Sequence, residues 1–227
     1  MEIKDIREEM IEHISKKCTE VDVPYLKEVH EKAIALWTKY NGLMSAGESA
    51  YLENFINSRD VPVPRIIIKD HKKRKANGRF PSRMLIPATN FSQGAAKLGF
   101  NVLKNVFDRN GVPYKKYTIN RAQVLKNDVE RLDRNAKIKM NKDLFAFLDI
   151  ENMYPSITFW LINKAVRHYS ETHVTEEGDL AAIEIGLDML QFSITNCLIR
   201  FQEKYYHYGK QDDPWKCVLA IGGYDSA

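Results

Sequence analysis

Near residue 60 the spacing of apolar side chains changes character, and that change limits the chain to a mixed helix and strand fold. Before it, Ile3, Ile6, Met10 and Ile14 recur at helical spacing, as do Leu26, Val29, Ala33 and Leu36 after Pro24. Tyr51, Leu52, Phe55 and Ile56 mark a third, short helix behind Gly47. After it, Pro62 and Pro64 introduce the β-branched run Arg65-Ile66-Ile67-Ile68, a strand signature, and Arg83-Met84-Leu85-Ile86 is a second strand. The stretch from Asp70 to Ser82 joins them, so the unit reads as a hairpin with a long charged tip.

Further on, Phe91, Ala95, Leu98, Val102 and Val106 share a helical face behind a Ser92 cap, and Leu125, Val129 and Leu132 share another after Asn120. Leu144-Phe145-Ala146-Phe147-Leu148 reads as a short buried strand. Two helices follow, through Phe159, Ile162, Val166 and Tyr169, and through Ile183, Leu187, Leu190, Ile194 and Leu198. The end reads as a hairpin of Lys204–Tyr208 against Lys216–Ala220, turning between Gly209 and Pro214. The expectation is an α+β fold in three parts: a helical segment over 1–60, the basic hairpin with helices over 61–140, and a strand-centred part over 141–227.

Bulk properties narrow the function classes. At 227 residues and 44% hydrophobic the chain can bury a core, and no apolar run approaches the roughly 18 residues of a membrane span. Three cysteines, far apart and in no ligand spacing, fit a reducing intracellular setting, nuclear or cytoplasmic. Net charge is +4, yet Lys69, Lys72, Lys73, Arg74, Lys75, Arg79 and Arg83 face only Asp70 between residues 69 and 83. That segment carries +6 and leaves −2 for the rest. It reads as a local polyanion contact, a solvated loop, or a nuclear-import signal in Lys72-Lys73-Arg74-Lys75.

The sharpest chemical feature is Phe147-Leu148-Asp149-Ile150-Glu151-Asn152-Met153-Tyr154-Pro155-Ser156-Ile157. A buried strand that ends in Asp149 delivers a carboxylate where the chain leaves the core, and a divalent cation is the natural partner of such a charge. A metal so held suits phosphoryl transfer. Tyr154, five residues on, has the bulk to discriminate against a ribose 2′-hydroxyl. The competing reading is a turn-capping Asp149 and a buried aromatic Tyr154.

This segment resembles the first catalytic motif of reverse transcriptases. Lys69-Asp70-His71-Lys72, followed by Arg83 and Met84-Leu85-Ile86, resembles the fingers hairpin of that superfamily, closest to the Lys-x-His-Lys and Arg-Pro-Ile-Val pattern of the Penelope-like branch. Phe201-Gln202-Glu203-Lys204-Tyr205-Tyr206 resembles that branch's Phe-x-Gly-Lys-Tyr-Tyr. The three matches fall in order between about residues 65 and 208. The resemblance implies right-hand polymerase fingers with an incomplete palm. Asp149 and the Ile150 carbonyl would ligate two Mg²⁺ ions, with Mn²⁺ as a substitute. Lys69 or Lys72 with Arg83 would grip a deoxynucleoside triphosphate, Tyr154 would gate the sugar, and Gln93 would support the template path. RNA template, primer and the remaining palm and thumb would be the partners.

The resemblance is incomplete. No paired-aspartate turn is present, and Ile221-Gly222-Gly223-Tyr224-Asp225 lacks the usual Gly-Ser pair, so a chain truncated before the second catalytic Asp, and inactive alone, is expected. Asp149-x4-Tyr154-Pro155-Ser156-Ile157 also resembles the first motif of family B DNA polymerases, although a basic hairpin precedes it where those carry an exonuclease. An RNA-dependent RNA polymerase would carry a second carboxylate near Tyr154. A non-catalytic nucleic-acid-binding module is the alternative from another class.

Overall fold

The computed structural model describes residues 3–70, 72–87, 93–112, 156–209 and 213–220. Among the described residues the fold is mixed α and β, predominantly helical with two small antiparallel sheets. Three helices and a short strand open the chain: α1 (Ile3–Lys17), β1 (Cys18–Val21), α2 (Val23–Tyr40) and α3 (Ala46–Ser58). A hairpin of β2 (Arg65–Ile68) and β3 (Ser82–Leu85) leads into α4 (Gln93–Arg109). Then come α5 (Phe159–His173), α6 (Glu177–Thr195), β4 (Leu198–Phe201), β5 (Lys204–Tyr208) and a 3-10 turn over Pro214–Lys216. No described helix is long and apolar enough to cross a membrane.

Local chemistry explains the starts of three helices. Asp22 accepts from the Tyr25 amide at 2.9 Å and Pro24 sits in the first turn of α2, where no amide hydrogen is needed. Ser45 and Glu48 form a reciprocal capping box on α3. Gly47, expected to precede that helix, therefore lies inside its first turn. Thr158 caps α5 through the Leu161 amide.

The helical scaffold is built around α4 and α6, which run antiparallel. Arg109, at the end of α4, pairs with Asp179 in the first turn of α6, and Asn110 donates to the same carboxylate at 2.6 Å. At the other end Gln93 donates to Ser193 at 3.1 Å. Between these ties the backbones touch: a Cβ on Gly99 would lie 2.7 Å from the Gly186 carbonyl oxygen, and one on Gly186 would lie 2.8 Å from Leu103 Cγ. Glycine is required there because the obstacle to Gly99 is main chain. One apolar cluster gathers Ala96, Leu103 and Val106 with Ile183, Leu187 and Leu190, against Phe159 and Val166 of α5. A second gathers Ala95, Leu98 and Met189 with Val29, Ala33, Leu52 and Ile56 of α2 and α3.

A third cluster joins the sheets. Met10 and Ile14 of α1 pack with Met84 and Ile86 beside the first hairpin, and with Cys197, Ile199 and Tyr208 of the second. The three-stranded sheet has the order β1-β5-β4, all antiparallel, with Cys18 opposite Tyr208 and Leu198 opposite His207.

Three expectations change here. The first sixty residues are not wholly helical: Cys18–Val21 is a strand because β5, almost two hundred residues away, supplies its hydrogen bonds. Leu198, expected on a helical stripe, starts β4, since the helix ends at Thr195 and Asn196 turns out of it. Lys204–Tyr208 does not pair with Lys216–Ala220. Its neighbours are β1 and β4, while Val218 makes an isolated bridge to Thr158. The helix expected after Asn120 and the strand 144–148 lie outside the described residues.

Replacing Gly99 by alanine should lower unfolding free energy by about 1–3 kcal/mol, because the helices must separate to admit the methyl group. The same change at Gly47, where a Cβ meets nothing within 4 Å, should be neutral or stabilising by about 0.5–1 kcal/mol. Urea unfolding curves of the two variants check the contrast.

Candidate functional site

The basic hairpin has two faces of different chemistry. Cross-strand register pairs Ile66 with Met84 and Ile68 with Ser82 on one face, and Ile67 with Arg83 and Arg65 with Leu85 on the other. The first face is inward: Met84 is buried, Ile66 packs on the third cluster, and Ser82 bonds to α1. The second face is therefore outward, and alternation extends it to Lys69, whose amide continues the ladder to the Pro81 carbonyl at 2.8 Å. Arg83 is exposed, Lys69 half-buried. Diagonal neighbours on one face of such a ladder lie about 7–8 Å apart, so Lys69 and Arg83 can reach a common ligand.

Of the two lysines suggested by the sequence, only Lys69 is on this face. Lys72 is exposed in the loop, where its amide donates to the Lys69 carbonyl at 3.0 Å in a turn. Among the described residues no carboxylate pairs with Lys69, Lys72 or Arg83. Burial first, and then the Lys69 ammonium, hold Lys17 below the ordinary lysine range, against the opposing pull of the Cys18 thiol. A cationic corner with no carboxylate partner among the described residues favours an anion.

Three other cations of the basic segment, Arg74, Lys75 and Arg79, are held within the fold. Lys75 Nζ reaches both Glu9 oxygens at 3.0 and 2.9 Å and Glu12 at 3.4 Å. Arg79 pairs with Glu8 and, at 3.3 Å, with Asp5. Arg74 stacks 4.2 Å above the Phe80 ring and donates to the Gly78 carbonyl. All four carboxylates lie on α1, so that helix neutralises the distal half of the loop.

At the root of this contact Glu9, Ser82 and His13 meet. Glu9 is fully buried, and the Ser82 hydroxyl donates to it. A serine has one proton to give, so the 2.9 Å contact between His13 Nε2 and Ser82 Oγ has the imidazole as donor. Ser82 is thus a bridge, with no base left to activate it. Burial raises the Glu9 carboxyl most, but hydrogen bonds from Ser82 and Lys75 and the Lys75 charge outweigh it, and the net shift is downward. Burial, with Lys17 and Lys75 adding to it, lowers His13 despite the opposing charge of Glu9.

The second motif segment is the β4–β5 turn. Gln202 and Glu203 both adopt left-handed backbone, at φ 51° and 60°. Two such residues suit the twist of a tight hairpin but cost non-glycine side chains of order 1–3 kcal/mol each. Arg7 of α1 holds the turn, its Nε and Nη2 donating to the Gln202 amide oxygen at 2.6 and 2.8 Å.

Asp149, Ile150 and Tyr154 lie outside the described residues, as does His71. Among the described residues no group of three or more His, Cys, Asp or Glu side chains could hold a metal ion. Gln93, expected to support a template, is buried against α6 instead, because its place in the first turn of α4 faces Ser193. Cys197 and Cys217 are buried, and burial pushes Cys18 up to about 12, which favours its protonated thiol near neutral pH. A hollow beside β1 is lined by Glu20, Val21, Asp22 and Tyr25, and its two carboxylates repel anions. The contribution of α1 escaped sequence reasoning, although its run Asp5, Glu8, Glu9, Glu12 is plain in the sequence.

No protein-family model matches the chain, and no curated protein or solved structure matches it.

Both His13 and Glu9 are depressed on folding, so each contributes stability that is complete above its unfolded pKa and lost as pH falls. Stability measured by urea midpoints should fall first below about pH 6.5 as His13 protonates, and again below about pH 4.5 as Glu9 does. His13→Gln, which keeps an amide donor for Ser82, should flatten the upper step alone.

Proposed function

We propose that this chain supplies the fingers and first part of the palm of a reverse transcriptase, which extends a primer with deoxynucleotides on an RNA template. The observation that carries the reading is the outward face of the β2–β3 hairpin, where Lys69 and Arg83 stand diagonally opposed without a carboxylate partner among the described residues. A triphosphate presents charge over a comparable span, to which arginine offers a planar fork and lysine a point charge. Lys75 and Arg79 are docked on α1, and Lys69 and Arg83 would be the members left to meet phosphate.

A second observation supports the same reading. Glu203 stands where the Phe-x-Gly-Lys-Tyr-Tyr pattern has glycine, and its φ of 60° is the backbone that glycine adopts without strain. A glycine at this position of the pattern would relieve the strain that Glu203 carries.

In this proposal the α phosphorus of the triphosphate is attacked by the primer 3′-oxygen, and pyrophosphate leaves. Lys69 and Arg83 hold the β- and γ-phosphates, which orients the nucleotide and offsets charge that builds on the leaving group. Asp149 and the Ile150 carbonyl would hold Mg²⁺, which supplies further neutralisation on the phosphates. Tyr154 would lie under the sugar and exclude a 2′-hydroxyl.

In the full-length protein, Asp149→Asn should abolish primer extension on an RNA template and leave template binding largely intact. Extension at the parental rate would remove Asp149 from the site. Extension on DNA but not RNA templates would move the assignment to a DNA-directed polymerase. Tyr154→Ala should admit ribonucleotides, with discrimination falling by roughly tenfold or more, the worth of about 1.4 kcal/mol of steric selection. Competition between dCTP and CTP in single-nucleotide extension measures it.

A further inference from the structure

Helix α1 touches both segments that carry the motif resemblance, and it does so from opposite flanks. At 3.6 residues per turn, Arg7 and Glu9 stand about 200° apart around the helix, with Met10 and Ile14 between them. Glu9 faces the first hairpin, through Ser82 and Lys75. Arg7 faces the second, through the Gln202 amide. Met10 and Ile14 fill the space between the hairpins, packed with Met84, Ile199 and Tyr208.

We propose that α1 is a bracket that sets the β2–β3 hairpin against the β4–β5 hairpin, with Glu9 and Arg7 as its positioning residues. Its purpose rests on the function proposed above; its existence rests on geometry alone.

The Glu9 attachment fixes a strand. Its carboxylate is fully buried and accepts from one hydroxyl and twice from one ammonium, so β3 cannot slide along α1 without stranding a buried charge. Ser82 is the first residue of β3 and Arg83 the next, on the opposite face. To anchor the one is therefore to aim the other. Lys75 sits across the loop from Ser82, so the same carboxylate also holds the loop down beyond the ladder. Hairpin sides left to themselves are marginal in water, and β2–β3 has only four residues in each strand. At the other flank, the Gln202–Glu203 turn keeps two left-handed non-glycine residues, a conformation that persists only where neighbours hold it.

The test separates position from folding. Glu9→Gln with Lys75→Met removes both charges together, which spares the fold a lone buried ion. Its melting temperature should stay close to that of the unmodified protein. Amide exchange in β2 and β3, and tryptic cleavage after Lys72, should both accelerate roughly tenfold, as expected of a segment released from its anchor. Exchange in β4 and β5 should not change. Arg7→Met should do the reverse, accelerating exchange at β4–β5 and leaving β2–β3 alone. Should the double variant fail to fold, Ser82→Ala removes one attachment without exposing a charge imbalance, and faster cleavage after Lys72 is again expected. Exchange and cleavage at parental rates in a folded Glu9 or Ser82 variant would overturn the bracket.

Titration of the same proteins with dTTP and Mg²⁺ tests the purpose. Affinity should fall roughly tenfold in the double variant and be restored partly by Glu9→Asp, which keeps the charge on a shorter arm. Triphosphate that binds neither the parent nor the variants, with the exchange pattern as stated, would leave the bracket standing and sink the polymerase reading.

Discussion

Two helices that touch backbone to backbone organise this protein. Gly99 and Gly186 let α4 and α6 close to main-chain contact, and that pair forms the wall between two of the three apolar clusters. One side of the wall receives α5, the other α2 and α3. Because the contact is between carbonyls and bare Cα atoms, it has no slack for a methyl group, and both clusters inherit their spacing from it. Polar attachments then fix the ends: Arg109 and Asn110 on Asp179, Gln93 on Ser193. Helix α6 runs from this wall directly into β4, so the position of the second hairpin follows from the same contact.

The charged surface is organised by a different rule. Seven cations crowd between residues 69 and 83, and left alone they would repel one another along a loop with few apolar anchors. The acidic side of α1 relieves the distal half. Lys75 and Arg79 meet four carboxylates, one of them buried, while Lys69 and Arg83 remain on the outward face. Neutralising Lys75 and Arg79 within the fold leaves the uncompensated charge of the segment on the proximal part of the loop and on the ladder. The exposed pairs matter little to stability; the buried carboxylate is the member whose loss would be felt.

The two hairpins are unlike in what holds them. The first leans on α1 through a buried ion and on Met10 and Ile14 through apolar contact. The second has its own three-stranded sheet, and its cost is concentrated in a turn of Gln202 and Glu203 rather than in the strands. That α1 addresses both with residues two apart follows from helical geometry, which sends such side chains to nearly opposite sides.

What the sequence settled alone was local. Helical periodicity located all six of the described helices, because apolar stripes every third or fourth residue leave few other options. The β-branched run 65–68 and its partner near 83 were legible from residue type, whereas the register that divides Ile67 and Arg83 from Ser82 and Met84 came from the structure. The Asp149–Tyr154 segment was legible only as a resemblance to a motif, and it lies outside the described residues. Tertiary structure decided what local pattern cannot encode. Cys18–Val21 became a strand because β5 arrived beside it, Lys204–Tyr208 chose β1 and β4 over the nearer 216–220, and Gln93 was taken into the helix contact. It also decided which of seven similar cations are neutralised, since a carboxylate on α1 and a lysine sixty-six residues later are related only by the fold that brings them together.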